Sequence, residues 1–218
     1  MAFWKQSFPY WIAMRHSSSP ARESKERGRP RAFDTELALD NAMLVFRQKG
    51  FHAASIADLS EAMNLTAGSI YKAFKDKRTL FLQVFERYTS LRNATLRQRL
   101  EKLPTARERL AELLRFYLES AHDVEGRRGC LVVGSATELQ VLDPALADLV
   151  QQAVMRNKSA LISLLTQAQQ EGSVSPALEL ETVAEVMLCL TFGMRVVGKT
   201  QNLTNREAIV TLAMKLLD

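Results

Sequence analysis

The sequence predicts an all-α protein, a three-helix head followed by a larger helical body, and three observations carry that prediction. Only 9 glycines and 6 prolines occur in 218 residues, and good helix formers such as Leu, Ala, Glu and Arg recur throughout. No alternating strand pattern and no internal repeat is present, whereas apolar residues return at helical spacing. Residues 55–74 read as two short helices joined by a tight turn.

The elements follow in order. Residues 1–28 read as a flexible basic arm, because the stretch with Ser17 to Ser19, Pro20, Arg22, Lys25 and Arg27 has no apolar periodicity. Two readings of the aromatic segment 1–13 stand open: an ordered extension that docks on the body, or an unused upstream start with Met14 as initiator. The head is expected over 29–80. Asp34 is a good N-cap for its first helix, which carries Leu37, Leu39, Ala42, Leu44, Val45 and Phe46 and closes at Lys49 and Gly50.

Ser55 then caps a second helix, with Asp58 at the capping-box position where Glu or Gln is the usual partner. Ile56, Leu59 and Met63 form its apolar stripe. Asn64 tolerates a left-handed turn, Leu65 fills the angle, and Thr66 restarts the chain as another N-cap. Ile70 and Phe74 face inward, which leaves Ala67, Gly68, Ser69, Tyr71 and Lys72 outward. This is the pattern of a helix-turn-helix whose second helix enters a major groove with its N-terminal end toward the bases.

Asp76 caps a long helix expected over 77–103, with Leu80, Phe81, Val84, Phe85, Tyr88 and Leu91 inward. The body, 81–218, holds five more helices. Thr105 opens one to about 122, and a shorter one spans 127–140 around Cys130. Asp143 and Pro144 start one that ends near Gly172. Ser175 and Pro176 repeat that device for a helix to about 199, and Thr204 with Glu207 makes a capping box for the last.

Charge divides unevenly between these parts. Residues 1–92 hold 15 Lys or Arg against 9 Asp or Glu, and the rest of the chain holds 14 against 15, so the basicity belongs to the head and arm. A polyanion partner is the simplest reason. Two cysteines, Cys130 and Cys189, exclude a disulfide framework and suit a reducing cytoplasm. No apolar run is long enough to cross a bilayer and no secretory signal is evident, so a cytoplasmic protein without membrane partners is expected. His16, His52 and His122 have no metal-ligand spacing, and neither a phosphate loop nor a nucleophile elbow appears. Neither catalysis nor a cofactor is therefore expected.

The basic arm, Gly50-Phe51 before the helix-turn-helix, the ending Ile70-Tyr71-Lys72-Ala73-Phe74 and the following Lys75-Asp76-Lys77-Arg78-Thr79-Leu80-Phe81 together resemble the TetR family of bacterial transcriptional regulators. The resemblance is specific over residues 30–85 and rests on helix count and order beyond. It implies a homodimer whose two heads contact adjacent major grooves of a double-stranded DNA operator, and a body that binds a small-molecule inducer and thereby releases DNA. Position by position it implies Ala67, Gly68, Ser69 and Lys72 near bases and Ser55, Thr66, Tyr71 and Lys77 at phosphates. Hydroxyls at helix N-termini suit an anion, which agrees with the phosphate set. Ala67 and Gly68 offer only apolar contact or close backbone approach. Arg29 and Arg31 are placed either to reach a minor groove or simply to be solvated.

In the body, Val183, Val186, Met187, Leu190, Met194 and Val197 form one apolar stripe, and Ile209, Leu212, Ala213 and Leu216 form another. Two such helices from each of two chains make a four-helix interface; the other reading is that both stripes serve the monomer's own core. Tyr88, Phe116, Tyr117, Cys130, Met155 and Phe192 are candidates for a ligand pocket among the middle helices, and each is equally a core residue by type. Cys130 sits at a helix start beside Arg127 and Arg128, where positive charge and the helix dipole favour the thiolate. The Gly129-Cys130-Leu131 sequence also resembles a subset of the family in which this cysteine senses oxidants or electrophiles, against the reading of a buried inert thiol. Cys189 is expected to serve packing. The resulting expectation is a ligand-responsive repressor released by an inducer or by modification of Cys130. The alternative is a helical nucleoid-type protein that binds DNA without sequence preference.

Overall fold

The computed structural model describes residues 34–218, so the arm, Arg29 and Arg31 lie outside the described residues. Ten α-helices and no strands are present among the described residues. The head comprises α1 (Thr35–Ala53), α2 (Ile56–Met63) and α3 (Ala67–Phe74), and α4 (Lys77–Leu100) runs from it into the body. The body adds α5 (Ala106–Glu119), α6 (Asp123–Arg128), α7 (Leu131–Thr137), α8 (Pro144–Gln170), α9 (Leu180–Thr200) and α10 (Arg206–Met214).

Helix ends follow the capping chemistry read from the sequence in most places. The Asp34 carboxylate accepts the N–H groups of Glu36 and Leu37, and Gly50, at φ 76°, breaks the helical path of α1. Ser55 and Asp58 form the full capping box despite the shorter acid, and Asn64 takes the left-handed conformation at φ 53°. Thr66, Asp76, Thr105 and Asp143 each cap the helix that follows.

Four boundaries in the body differ from expectation. The expected helix 127–140 is two helices, α6 and α7, parted by Gly129 at φ 81°; glycine alone adopts that conformation cheaply, and it turns the Gly129 carbonyl toward arginines on other helices. Ser175 and Pro176 build only a turn, in which the Ser175 N–H donates to the Leu217 carbonyl, and α9 begins later with Glu179 as its cap. The capping box of Thr204 and Glu207 does not form, because Arg115 holds the Glu207 carboxylate at 3.0 Å and Asn205 precedes α10. The long helix α4 ends at Leu100, three residues early.

Two apolar cores lie along α4. In the front core α1, α2 and α3 pack on Leu80, Phe81, Val84, Phe85 and Tyr88, and the same core continues into Leu131 to Val133 of α7 and Leu146 and Val150 of α8. Phe46 meets Phe81 edge-on at 5.1 Å, and burying each such ring contributes about 2–3 kcal/mol. Leu37 is 46% exposed; Ala38, Ala42 and Met43 face the core, and buried Asp40 is held by Arg87 of α4 at 2.7 Å. The rear core joins α5 to the later parts of α8, α9 and α10. The head is thus packed directly against the helices that carry Cys130.

Candidate nucleic-acid interface and effector pocket

The outward face of α3 carries Ala67, Gly68, Tyr71 and Lys72, all exposed, with Ser69 half-buried behind them. Thr66 accepts the Ser69 N–H at 3.1 Å and its hydroxyl meets that of Ser69 at 2.9 Å, so the first turn of α3 is closed by its own side chains. Ser55 is exposed at the start of α2. Tyr71 is 48% exposed, so about half of its surface is open to solvent. Lys77 stands apart from this group. Its ammonium donates to the carbonyls of Phe51 at 2.9 Å and Ala54 at 3.0 Å and lies over the Phe51 ring, so its charge closes the end of α1.

Behind the head, Tyr88, Tyr117, Cys130 and Phe192 come together with Arg92 around a small cavity of about 20 Å³. Two of the expected pocket residues do not join them. Met155 points outward from α8 and is 68% exposed. Phe116 is turned into the rear core, where the Arg92 and Arg99 guanidinium groups lie over its ring. An open-mouthed cleft of about 510 Å³ adjoins this cavity, sharing Asn93, Tyr117, Arg156 and Asn157 with it. Its walls include Leu96, Leu100, Leu113, Leu161, Leu164 and Leu188.

The electrostatics of the small cavity come from arginines that sequence reading did not single out. Arg47, Arg92 and Arg195 are all buried, at 3%, 7% and 1% exposure. Their signal was present: Arg92 follows Tyr88 by four residues, and Arg195 follows Met187 and Thr191 by eight and four, so each charge sits on an apolar face. Burial works to raise the Cys130 thiol, but Arg195 and then Arg92 outweigh it, with the Tyr88 hydroxyl donating to Sγ at 3.4 Å, and the thiol falls to about 7. The activating charges are therefore not the neighbours Arg127 and Arg128; Arg128 lies 3.8 Å from Glu125 instead. Tyr117 is pushed up to about 12 by burial and Tyr88 is raised by the same cause, so both stay neutral phenols at physiological pH. Cys189, expected to pack, is exposed on the outer side of α9.

The Gly129 carbonyl is where head and body meet chemically. It accepts Arg47 of α1 through Nε at 2.9 Å and Nη2 at 2.6 Å, and Arg195 of α9 through Nη2 at 3.0 Å. Arg47 is also ion-paired to Glu125 of α6 at 2.6 Å. One backbone carbonyl next to Cys130 thereby ties α1 to α9.

The stripes expected at a dimer interface divide between two faces. Met187 and Met194 point into the monomer's rear core, because α9 buries its Ala184, Met187, Thr191, Met194 and Gly198 side. Val186, Val197, Leu212 and Leu216 stay exposed at 36–68%, and Val183, Leu190 and Ile209 are half-buried beside them. A shallow groove of about 520 Å³ runs along this face between Val186, Leu190, Val197 and Ile209.

A helix-turn-helix head with an exposed second helix, set by one long helix on a helical body, is the architecture of a DNA-binding protein. Residues 38–84 match the family of bacterial regulatory proteins named for tetR, and residues 106–212 match the tetracyclin repressor-like C-terminal domain. The chain belongs to the TetR family and is a DNA-binding transcriptional regulator rather than an enzyme. It is 30% identical over 175 residues to the HTH-type transcriptional repressor ComR of Escherichia coli (strain K12), covering 79% of this chain and 82% of that one. The repressor BdcR of the same organism is 32% identical over 112 residues, 51% of this chain and 57% of its own. Among solved structures, a cysteine-substituted form of the TetR family regulator CifR, complexed with a 26-base-pair double-strand operator, superposes with a TM-score of 0.71 at 32% identity, covering 88% of this chain and 100% of that chain. No described helix is long and apolar enough to cross a membrane.

Proposed function

We propose that the protein is a homodimeric repressor that holds a palindromic operator through its two α3 helices and releases it when a small molecule enters the body or Cys130 is modified. The observation that carries the reading is the exposed face of α3, small at Ala67 and Gly68 and hydroxylated or basic at Tyr71 and Lys72. Ser55 and Thr66 are placed at helix N-termini to meet phosphates, and Lys72 adds charge. Repression is the activity named for ComR and BdcR, and operator binding is that of CifR.

Dimerisation is supported by the exposed apolar residues of α9 and α10, a patch that water disfavours. Light scattering at micromolar concentration should give twice the chain mass, and Leu212→Glu should give a monomer; a monomeric wild type would contradict this part. Release is supported by the junction at the Gly129 carbonyl. A change at Cys130 or Arg195 reaches Arg47 of the head through a single shared acceptor. Non-specific binding is the second reading, favoured by the lack of side-chain donors on Ala67 and Gly68. Equal affinity for operator and random duplexes would establish it.

A further inference from the structure

Arg92 and Arg195 are buried without an ion-paired carboxylate among the described residues. The Arg92 Nη1 donates to the Ser120 hydroxyl at 3.2 Å and its Nη2 has no partner; Arg195 uses Nη2 on Gly129, and its Nε and Nη1 have none. Three rings, those of Tyr88, Phe116 and Tyr117, surround the Arg92 guanidinium at 4.7–5.7 Å. They favour a cation but supply no counter-charge. Cys130 offers at most one negative charge against these two positive ones. Unpartnered guanidinium donors in such a place are costly unless an anion meets them.

The surroundings of Arg92 say what else that anion carries. Leu96 and Leu100 follow it at intervals of four residues, on one face of α4, and both line the larger cleft together with Leu161, Leu164 and Leu188. A volume of about 510 Å³ is that of a small-molecule site. Arg97, Arg109 and Arg156 outnumber Glu101 along the same walls. A ligand reaching from this cleft past Tyr117 and Asn93 would meet Arg92 with one end and leucines with the other.

We propose that the effector is an amphipathic monocarboxylate, its acid group held by the Arg92 guanidinium and its apolar tail lying along Leu96 and Leu100 in the cleft between α4, α5, α8 and α9. The inference rests on the ligand-responsive reading and names the ligand class for it. A carboxylate on arginine forms charge-assisted hydrogen bonds that an uncharged amide of the same length does not reproduce. The acid is therefore distinguished from its neutral isostere at one residue.

Isothermal titration calorimetry of the full chain tests this with octanoate, octanamide and acetate as probes. Octanoate should bind at least about tenfold more tightly than octanamide and far more tightly than acetate, in the wild type and in Cys130→Ser alike. Arg92→Gln should erase the preference for acid over amide, and Arg92→Lys should keep part of it. Equal binding of acid and amide by the wild type overturns the proposal whether or not any variant folds. So does a preference that survives Arg92→Gln or vanishes in Cys130→Ser, and acetate binding as well as octanoate removes the tail from it. Octanoate that binds as described yet leaves DNA affinity unchanged supports the ligand class and counts against release by inducer.

Discussion

Cys130→Ser turns the charge balance around the buried arginines into a measurable pH dependence. The thiol lies at about 7 in the folded chain against an ordinary 9.0. A group whose folded value is depressed stabilises the fold above its unfolded value and loses that contribution as pH falls through the folded one. Below pH ~6 the thiol is protonated in both states and contributes nothing; above pH ~9.5 it is ionised in both and contributes fully. At 1.36 kcal/mol per unit, a two-unit depression amounts to about 2–3 kcal/mol. Serine titrates in neither state, and the remaining groups are common to both proteins. The difference in unfolding free energy, wild type minus variant, should therefore rise by about 2–3 kcal/mol between pH ~6 and ~9.5. Urea denaturation at fixed protein concentration, fixed ionic strength and with reductant present measures it. A difference that stays flat or falls with pH refutes the argument that Arg195 and Arg92 stabilise a thiolate.

Glu125→Gln leaves Arg47, whose side chain is fully buried, without its ion-pair partner, and should destabilise by about 2–3 kcal/mol, at the low end for a broken buried pair because Glu125 is itself 19% exposed. An unchanged denaturation midpoint would remove the pair from the account. Gly198→Ala would drive a methyl into the Ala121 carbonyl where the turn before α6 meets α9, costing about 1–3 kcal/mol in thermal melts, whereas Gly134→Ala, with open space around it, should be neutral or stabilising. Equal effects at the two glycines would argue against that close crossing. Lys72→Ala should weaken operator binding more than random-DNA binding, while Lys77→Ala should chiefly lower the stability of the head and leave the salt slope unchanged, since its ammonium is spread over three carbonyls of residues 51–54. A salt slope that drops only for Lys77→Ala would reverse those two roles.

Local chemistry made the head legible in the sequence. Caps at Ser55, Thr66 and Asp76, the left-handed Asn64 and the stripe of Leu59, Met63, Ile70 and Phe74 act between near neighbours, and the structure repeats them. Legibility falls where distant partners decide. Glu207 is drawn to Arg115 rather than to its own helix end, and the break at Gly129 serves arginines 82 and 66 residues away. The apolar stripe of α9 was visible, but Met187 and Met194 belong to the monomer core while Val186 and Val197 do not, a division set by the rotation of α9 against α5 and α8. Cys130 was recognised from its flanking residues, yet the charges that act on it come from α4 and α9, and composition does not reveal a buried arginine.

Selection of duplexes from a random library, followed by fluorescence-anisotropy titration of the selected duplex against a scrambled one at physiological salt, decides whether two heads of this protein read a DNA sequence. An enriched palindrome should emerge and be bound at least about a thousandfold more tightly than the scrambled duplex, with two chains per site. Enrichment of no sequence, or equal binding to both duplexes, would contradict sequence-specific recognition and leave a protein that holds DNA by charge alone.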